Sequence, residues 1–195
     1  KRAMRVVSGT YKGHPLKTLK GDATRPTTMR VKESLFSAIV SALGGLEEAR
    51  VLDGFAGSGA LGIEALSRGA ASVVFFEQAR AAAKIVRENL AKVGARKQSC
   101  TIEVGDSFAL ASKKRAYSFD LVLLDPPYMI VPSRVFSLIQ TLDDAGSLNA
   151  EALICYELAK KNKPELVSEL DRLKWETVSL KDFGDTTYVL IRKGM

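Results

Sequence analysis

The stretch Val51-Leu52-Asp53-Gly54-Phe55-Ala56-Gly57-Ser58-Gly59-Ala60-Leu61-Gly62 decides the fold. A short apolar run reads as a strand, halts at a carboxylate, breaks into glycines and resumes as a helix. Glycines at such a turn admit a ligand where a Cβ would collide, and the helix behind them starts with amides that lack intrahelical partners. Gly57-Ser58-Gly59-Ala60-Leu61-Gly62 fits the spacing of nucleotide-binding βαβ units, and Glu77 stands 20 residues after Gly57, where an acid meets ribose hydroxyls. The pattern admits nicotinamide or flavin dinucleotides or S-adenosylmethionine. Asp53 favours the last, because an acid ahead of the glycines suits an ammonium group and repels a pyrophosphate.

Outward from this turn the chain alternates. Strands are expected at 50–53, 72–76, 100–104, 119–124 and 152–157, with helices at 60–68, 79–93, from about Asp106, 134–142 and 166–173. The end changes character: 175–180 and 186–192 flank Lys181-Asp182-Phe183-Gly184-Asp185 as an antiparallel hairpin. The expectation is an α/β, Rossmann-like, mostly parallel seven-stranded sheet with an antiparallel C-terminal hairpin and a small basic N-terminal extension. Residues 46–195 form the nucleotide-binding unit and residues 1–45 the extension. In this scheme Phe55, Ala56, Gly57, Ser58 and Gly59 line the ligand loop, and Gln78 follows Glu77. Asp106 and Ser107 close the third strand, where Asp106 either accepts from an adenine amino group or caps the next helix.

A second stretch presents chemistry. Phe119-Asp120-Leu121-Val122-Leu123-Leu124 reads as a strand buried on both faces, followed at once by Asp125-Pro126-Pro127-Tyr128. The two prolines cannot extend a ladder and stiffen the turn. A carboxylate and an aromatic ring are thereby held at the carboxyl end of a core strand, the edge at which open α/β sheets bind ligands. Alone, the tetrapeptide is equally a proline-rich strand exit.

Charge is unevenly placed. Residues 1–32 hold nine Lys/Arg against Asp22 alone, a net of +8, while the remainder carries −1. A basic arm on a near-neutral body is the footprint of phosphate-backbone binding, the alternative being a solvated arm. Within it, 4–8 and 16–19 read as a hairpin with Tyr11 and Lys12 near its tip. Thr24-Arg25-Pro26-Thr27-Thr28 reads as a rigid turn. Val31, Leu35, Ile39 and Leu43 then mark a helix ending at Gly44-Gly45, with Arg30 and Lys32 near its start and off the apolar stripe. Arg5, Tyr11, Lys12, Arg25, Thr27, Arg30 and Lys32 are the candidate nucleic-acid contacts.

The 195 residues suffice for one sizeable core, and 46% hydrophobic content is that of ordinary soluble protein. No apolar run reaches the ~18 residues of a membrane span and no signal-peptide core follows the basic start, so a cytoplasmic location is expected. Cys100 and Cys155 fall in strand-like segments as buried thiols. His14 is the single histidine and stands apart from cysteines and acids, which excludes histidine-based zinc sites and disfavours a Ser-His-Asp mechanism.

On these residues the chain resembles class I S-adenosylmethionine-dependent methyltransferases in its Asp53–Gly59 loop, and those that methylate exocyclic amines in Asp125-Pro126-Pro127-Tyr128. More narrowly it resembles the bacterial 16S ribosomal RNA guanine-N2 methyltransferase family. The matches are Val7-Ser8-Gly9, Arg25-Pro26-Thr27-Thr28, Gly57 through Ala70, Arg87-Glu88-Asn89-Leu90, the tetrapeptide and Gly184-Asp185-Thr186. It departs from that family's usual pattern at Gly54, Met29, Lys32 and Gln78. The resemblance implies S-adenosylmethionine as cofactor, 16S rRNA in a small subunit as partner, and a monomeric enzyme. Asp125 and the Pro126 carbonyl would orient the amine, and Tyr128 would stack on the base, with no metal needed. DNA adenine, another RNA, or a dinucleotide-dependent oxidation remain the alternatives.

Overall fold

Along β1 (Arg50–Asp53), β2 (Ser72–Glu77) and β4 (Phe119–Leu124) almost every residue is buried, and neighbours in sequence point to opposite faces. Val51, Val73, Phe75, Leu121 and Leu123 enter one core; Leu52, Val74, Phe76, Val122 and Leu124 enter the other. Such strands need helices on both sides. The computed structural model describes residues 4–19 and 29–193 and supplies them.

Helices α1 (Met29–Leu43), α2 (Ala60–Ser67) and α3 (Arg80–Val93) carry apolar residues into the first core. Helices α4 (Ser107–Ala111), α5 (Pro132–Asp144) and α6 (Lys163–Leu173) cover the second. With β3 (Cys100–Val104), β5 (Leu148–Ala159), β6 (Glu176–Phe183) and β7 (Thr186–Arg192) the sheet runs β3-β2-β1-β4-β5-β7-β6. The first five are parallel, and β7 enters antiparallel between β5 and β6. The expected seven-stranded topology is therefore observed. Strand β5 is longer than expected, because it pairs with β4 on one side and with β7 from Leu153 to Ala159 on the other.

Two glycines are dictated by close approach. A Cβ at Gly62 would lie 2.3 Å from the Phe75 ring, so α2 packs onto β2 only without one. A Cβ at Gly54 would lie 2.6 Å from Leu124 Cδ2, and the Gly54 amide donates to Leu123 O at 2.9 Å. The chain leaving β1 thus lies directly against the end of β4.

The expected N-terminal hairpin forms, but its pairing is short. Its arms pair around Arg5 and Pro15: the Val6 amide donates to His14 O at 3.1 Å, the Leu16 amide to Met4 O at 2.8 Å and the Gly13 amide to Val6 O at 2.9 Å. Other backbone amides of the hairpin are taken by side chains of the body: the Val7 and Ser8 amides donate to Glu64 at 2.8 and 3.0 Å, and the Lys17 amide donates to Asn89 Oδ1 at 2.8 Å. At the tip, the Thr10 amide donates to Ser67 O at 2.7 Å and the Tyr11 amide to Ser67 Oγ at 2.9 Å. Val6 and Leu16 are buried in the first core. Among the described residues no helix is long and apolar enough to cross a membrane.

Candidate active site

Three neighbouring strand tips build the site. Asp53 ends β1 between Phe75 of β2 and Leu123 of β4, so Glu77 and Asp125 emerge on either side of it at the carboxyl edge. Adjacent strands lie ~4.8 Å apart, which places the glycine loop and the Asp125–Tyr128 turn side by side.

Backbone amides hold the two carboxylates of the loop. Asp53 is buried and its Oδ2 accepts from the Gly62 amide at 2.9 Å. Burial pushes its pKa up to about 7; amide bonds from Gly62 and Phe55 oppose this, and the nearby Glu77 charge adds to it. Glu77 accepts from the Gly57 amide at 2.8 Å through one oxygen and from the Ala79 amide at 2.7 Å through the other. The Ala56 amide donates to Phe76 O at 2.9 Å. Ser58 and Gly59 are buried, and Gln78 is exposed beside Glu77.

Asp106 caps α4 by accepting from the Phe108 amide at 3.1 Å and remains exposed. Ser107 is buried and its hydroxyl donates to Gly54 O at 2.7 Å, so it braces the loop from the β3 side. Phe55 meets Phe108 edge-on with centroids 6.1 Å apart, and the Arg134 guanidinium lies 4.5 Å from the Phe108 ring centre. This stack has no signature in the sequence, since its members come from the glycine loop, α4 and α5.

At the end of β4, Asp125 and Tyr128 are half-buried, Pro126 is buried and Pro127 exposed. The Ile130 amide donates to Pro127 O at 2.9 Å, closing the turn. The Tyr128 hydroxyl shares a 2.7 Å hydrogen bond with Thr186 Oγ1, the first residue of β7. Thr186 is a site residue that sequence reasoning misses, although the motif Gly184-Asp185-Thr186 contains it. Among the described residues no group of His, Cys, Asp and Glu could hold a metal ion.

The candidate nucleic-acid contacts separate into classes. Arg30 is exposed on the first turn of α1. That helix precedes the start of β1 and runs antiparallel to it, so its first turn lies toward the Asp125 edge. Arg5 is exposed, its guanidinium donating to Gly13 O at 3.0 Å, and Lys12 is exposed at the hairpin tip. The tip itself docks on Ser67 at the end of α2, the edge opposite Asp125, because α2 descends from the glycine loop before β2 begins. Tyr11 there packs half-buried against the first core, away from the Asp125–Tyr128 turn. Arg25 and Thr27 lie outside the described residues.

Lys32 requires a correction. It is 3% exposed, and its Nζ donates to Arg5 O at 3.1 Å and lies 3.6 Å from Glu64 Oε2. The buried stripe of α1 is Lys32, Leu35, Phe36 and Ile39, so Lys32 occupies an apolar-stripe position and cannot meet RNA. The reason is Glu64, fully buried on α2, which also accepts from Arg68 Nε at 2.9 Å. The Glu64–Arg68 spacing is visible in sequence; the second cation from α1 is a tertiary event. Desolvation lowers the Lys32 pKa, with Glu64 opposing the shift.

Comparison with known proteins places these features in context. A family described as "Conserved hypothetical protein 95" matches residues 4–192. A Bacillus subtilis protein, YlbH, assigned as an rRNA methyltransferase, is 38% identical over 179 residues, covering 91% of this chain and 95% of its own. The ribosomal RNA small subunit methyltransferase D of Haemophilus influenzae is 33% identical over 191 residues, covering 97% and 94%. The solved structure of yhhF from Escherichia coli, assigned as a methyltransferase, superposes with a TM-score of 0.79 at 30% identity, covering 98% of each chain.

Proposed function

The chain belongs to the family described as Conserved hypothetical protein 95, and on that premise we propose that it methylates the exocyclic N2 amine of a guanine in small-subunit (16S) ribosomal RNA, using S-adenosylmethionine. The observation that carries this reading is the adjacency of a glycine loop held by two carboxylates and the Asp125-Pro126-Pro127-Tyr128 turn on neighbouring strand tips. The residues fit the cofactor. Asp53 and Glu77 put acid where an ammonium and ribose hydroxyls would sit, and Asp53, ahead of the glycines, would repel a dinucleotide pyrophosphate. Glu77, Gln78, Asp106 and the loop from Phe55 to Gly59 would hold the nucleoside, and Asp53 the amino-acid end.

When bound, the cofactor supplies an activated sulfonium methyl group. The protein's own work is on the amine, whose lone pair is delocalised into the guanine ring. The Asp125 carboxylate and the Pro126 carbonyl accept its two N–H groups, leaving the lone pair directed at the methyl carbon and offsetting the positive charge that develops on nitrogen. The prolines keep both acceptors fixed. Tyr128, anchored through Thr186, stacks on the extruded base. Asp125 orients and stabilises, and after transfer the surplus proton on nitrogen passes to water. Residues 1–45 act as the RNA-binding extension of the catalytic unit 46–195, working as a monomer in the cytoplasm, with Arg5, Lys12, Arg25, Thr27 and Arg30 toward RNA.

The test is methyl transfer from labelled S-adenosylmethionine to unmodified small subunits, followed by nucleoside digestion. Label is expected in N2-methylguanosine, and Asp125→Ala is expected to abolish it while S-adenosylhomocysteine still binds. Label in an adenosine, or near-normal turnover by the variant, refutes the reading. Calorimetry against NAD separates it from an oxidoreductase, which would leave the tetrapeptide without a role.

A further inference from the structure

Arg87-Glu88-Asn89-Leu90 has no role in the chemistry above, yet Asn89 is fully buried and makes three hydrogen bonds, all to main chain. Its Nδ2 donates to Ser58 O at 2.8 Å and to Lys17 O at 3.0 Å, and its Oδ1 accepts from the Lys17 amide at 2.8 Å. One side chain on α3 therefore ties the middle of the glycine loop to the returning arm of the basic hairpin. The Ser58–Gly59 peptide is held at both ends, because the Gly59 amide donates to Ala56 O at 2.6 Å. Nearby, Ser58 Oγ lies 3.9 Å from Met4 Sδ at the start of the same hairpin. Around the corner, Glu64 on α2 takes the Val7 and Ser8 amides and neutralises Lys32, whose Nζ also holds Arg5 O.

We infer that Asn89 is a positioning residue that makes the arm and the cofactor loop one mechanical unit, so that RNA engagement and cofactor binding are energetically coupled through it. The inference rests on the function proposed above. A side-chain amide that satisfies both groups of Lys17 and the Ser58 carbonyl fixes their relative position. Moving the arm alone would break both bonds to Lys17 and leave the buried Asn89 amide with Ser58 O alone. RNA binding that settles the arm consequently settles the Ser58–Gly59 peptide at the head of α2, and the effect is reciprocal. Glu88 contributes only at the surface, through its 2.7 Å ion pair with Lys17 Nζ.

The experiment measures the dissociation constant of S-adenosylhomocysteine with and without a saturating small-subunit rRNA transcript, for wild type, Asn89→Ala, Asn89→Ser and Lys17→Ala. Wild type is expected to bind at least about fivefold more tightly with RNA present, within the usual range of coupling energies. The Asn89 variants are expected to bring that ratio to one, and Lys17→Ala, which keeps its main chain, to preserve it. Asn89→Ser leaves room for water and serves if Asn89→Ala fails to fold. A wild-type ratio of one, or an unchanged ratio in the Asn89 variants, overturns the inference.

Amide hydrogen exchange gives a reading that needs no ligand. Asn89→Ser is expected to speed exchange of residues 4–17 and 56–62 together, and Lys17→Ala to leave both unchanged. Faster exchange in one segment alone overturns the coupling. Failure of wild type to bind S-adenosylhomocysteine would count against the proposed function, while the exchange result would still decide the linkage.

Discussion

Replacing Asp53 by Asn tests the electrostatics of the cofactor loop. Burial raises the Asp53 pKa from 3.8 to about 7, so ionising it in the folded protein costs roughly 4 kcal/mol more than in the unfolded chain, at about 1.4 kcal/mol per pKa unit. A carboxyl whose folded pKa is raised contributes stability that is complete below the unfolded value. That contribution is lost as pH rises toward 7. Urea unfolding should therefore show wild type losing stability relative to Asp53→Asn between pH 4 and 7. At pH 8 the variant should be the more stable by a few kcal/mol, less about 1 kcal/mol for weakening the bond to the Gly62 amide. Ligand binding should run the other way. An ammonium group near Asp53 favours the ionised form, so S-adenosylmethionine affinity in wild type should rise with pH through 7 and binding should release a proton. The assay is calorimetry in buffers of different ionisation enthalpy. Parallel pH profiles for wild type and Asp53→Asn, in both stability and affinity, would refute the assignment.

Other residues give sharper single tests. Glu64→Ala leaves Lys32 and Arg68 without their shared acid and should cost ~3–5 kcal/mol in urea unfolding, part of it recovered by adding Lys32→Met; strictly additive losses would show that the buried pair is not coupled. Thr186→Val removes the partner of the Tyr128 hydroxyl and, at about 1 kcal/mol, should lower kcat/KM some fivefold with cofactor affinity unchanged; equal loss of cofactor binding would place the defect elsewhere. Charge reversal at Arg25 and Arg30 should flatten the logarithmic salt dependence of RNA binding by about 0.7 for each single-strand phosphate no longer neutralised. Lys32→Met should leave that slope intact, and an equal effect of Lys32→Met would contradict its burial.

Much of the fold is legible in the sequence because the relevant physics is local. Strand β4 is apolar but for Asp120 and stops at two prolines, which cannot extend a ladder wherever they are placed. The glycine turn before α2 and the acid 20 residues on encode a strand–turn–helix–strand unit whose geometry follows from short connections. From these follow the parallel sheet, its carboxyl-edge site and the grouping of Asp53, Glu77 and Asp125. The antiparallel finish at 186–192 follows from its turn chemistry.

Which polar groups leave the surface is not legible in the same way. Lys32 and Arg30 are two residues apart on one helix and chemically alike, yet one meets solvent and the other a buried carboxylate from α2. The Val7, Ser8 and Lys17 amides carry no mark that Glu64 and Asn89 will take them. Tyr11 has the composition of a stacking residue and the position of a core one. Periodicity reports which face of an element is apolar, but a buried charge is decided by a partner distant in sequence, and only the folded chain brings that partner within reach. The sequence by itself determined the sheet, its topology and the edge that carries the candidate site. The tertiary structure alone decided that the basic arm is bolted to the cofactor loop, because the bolts are side chains 56 to 72 residues away from the amides they hold.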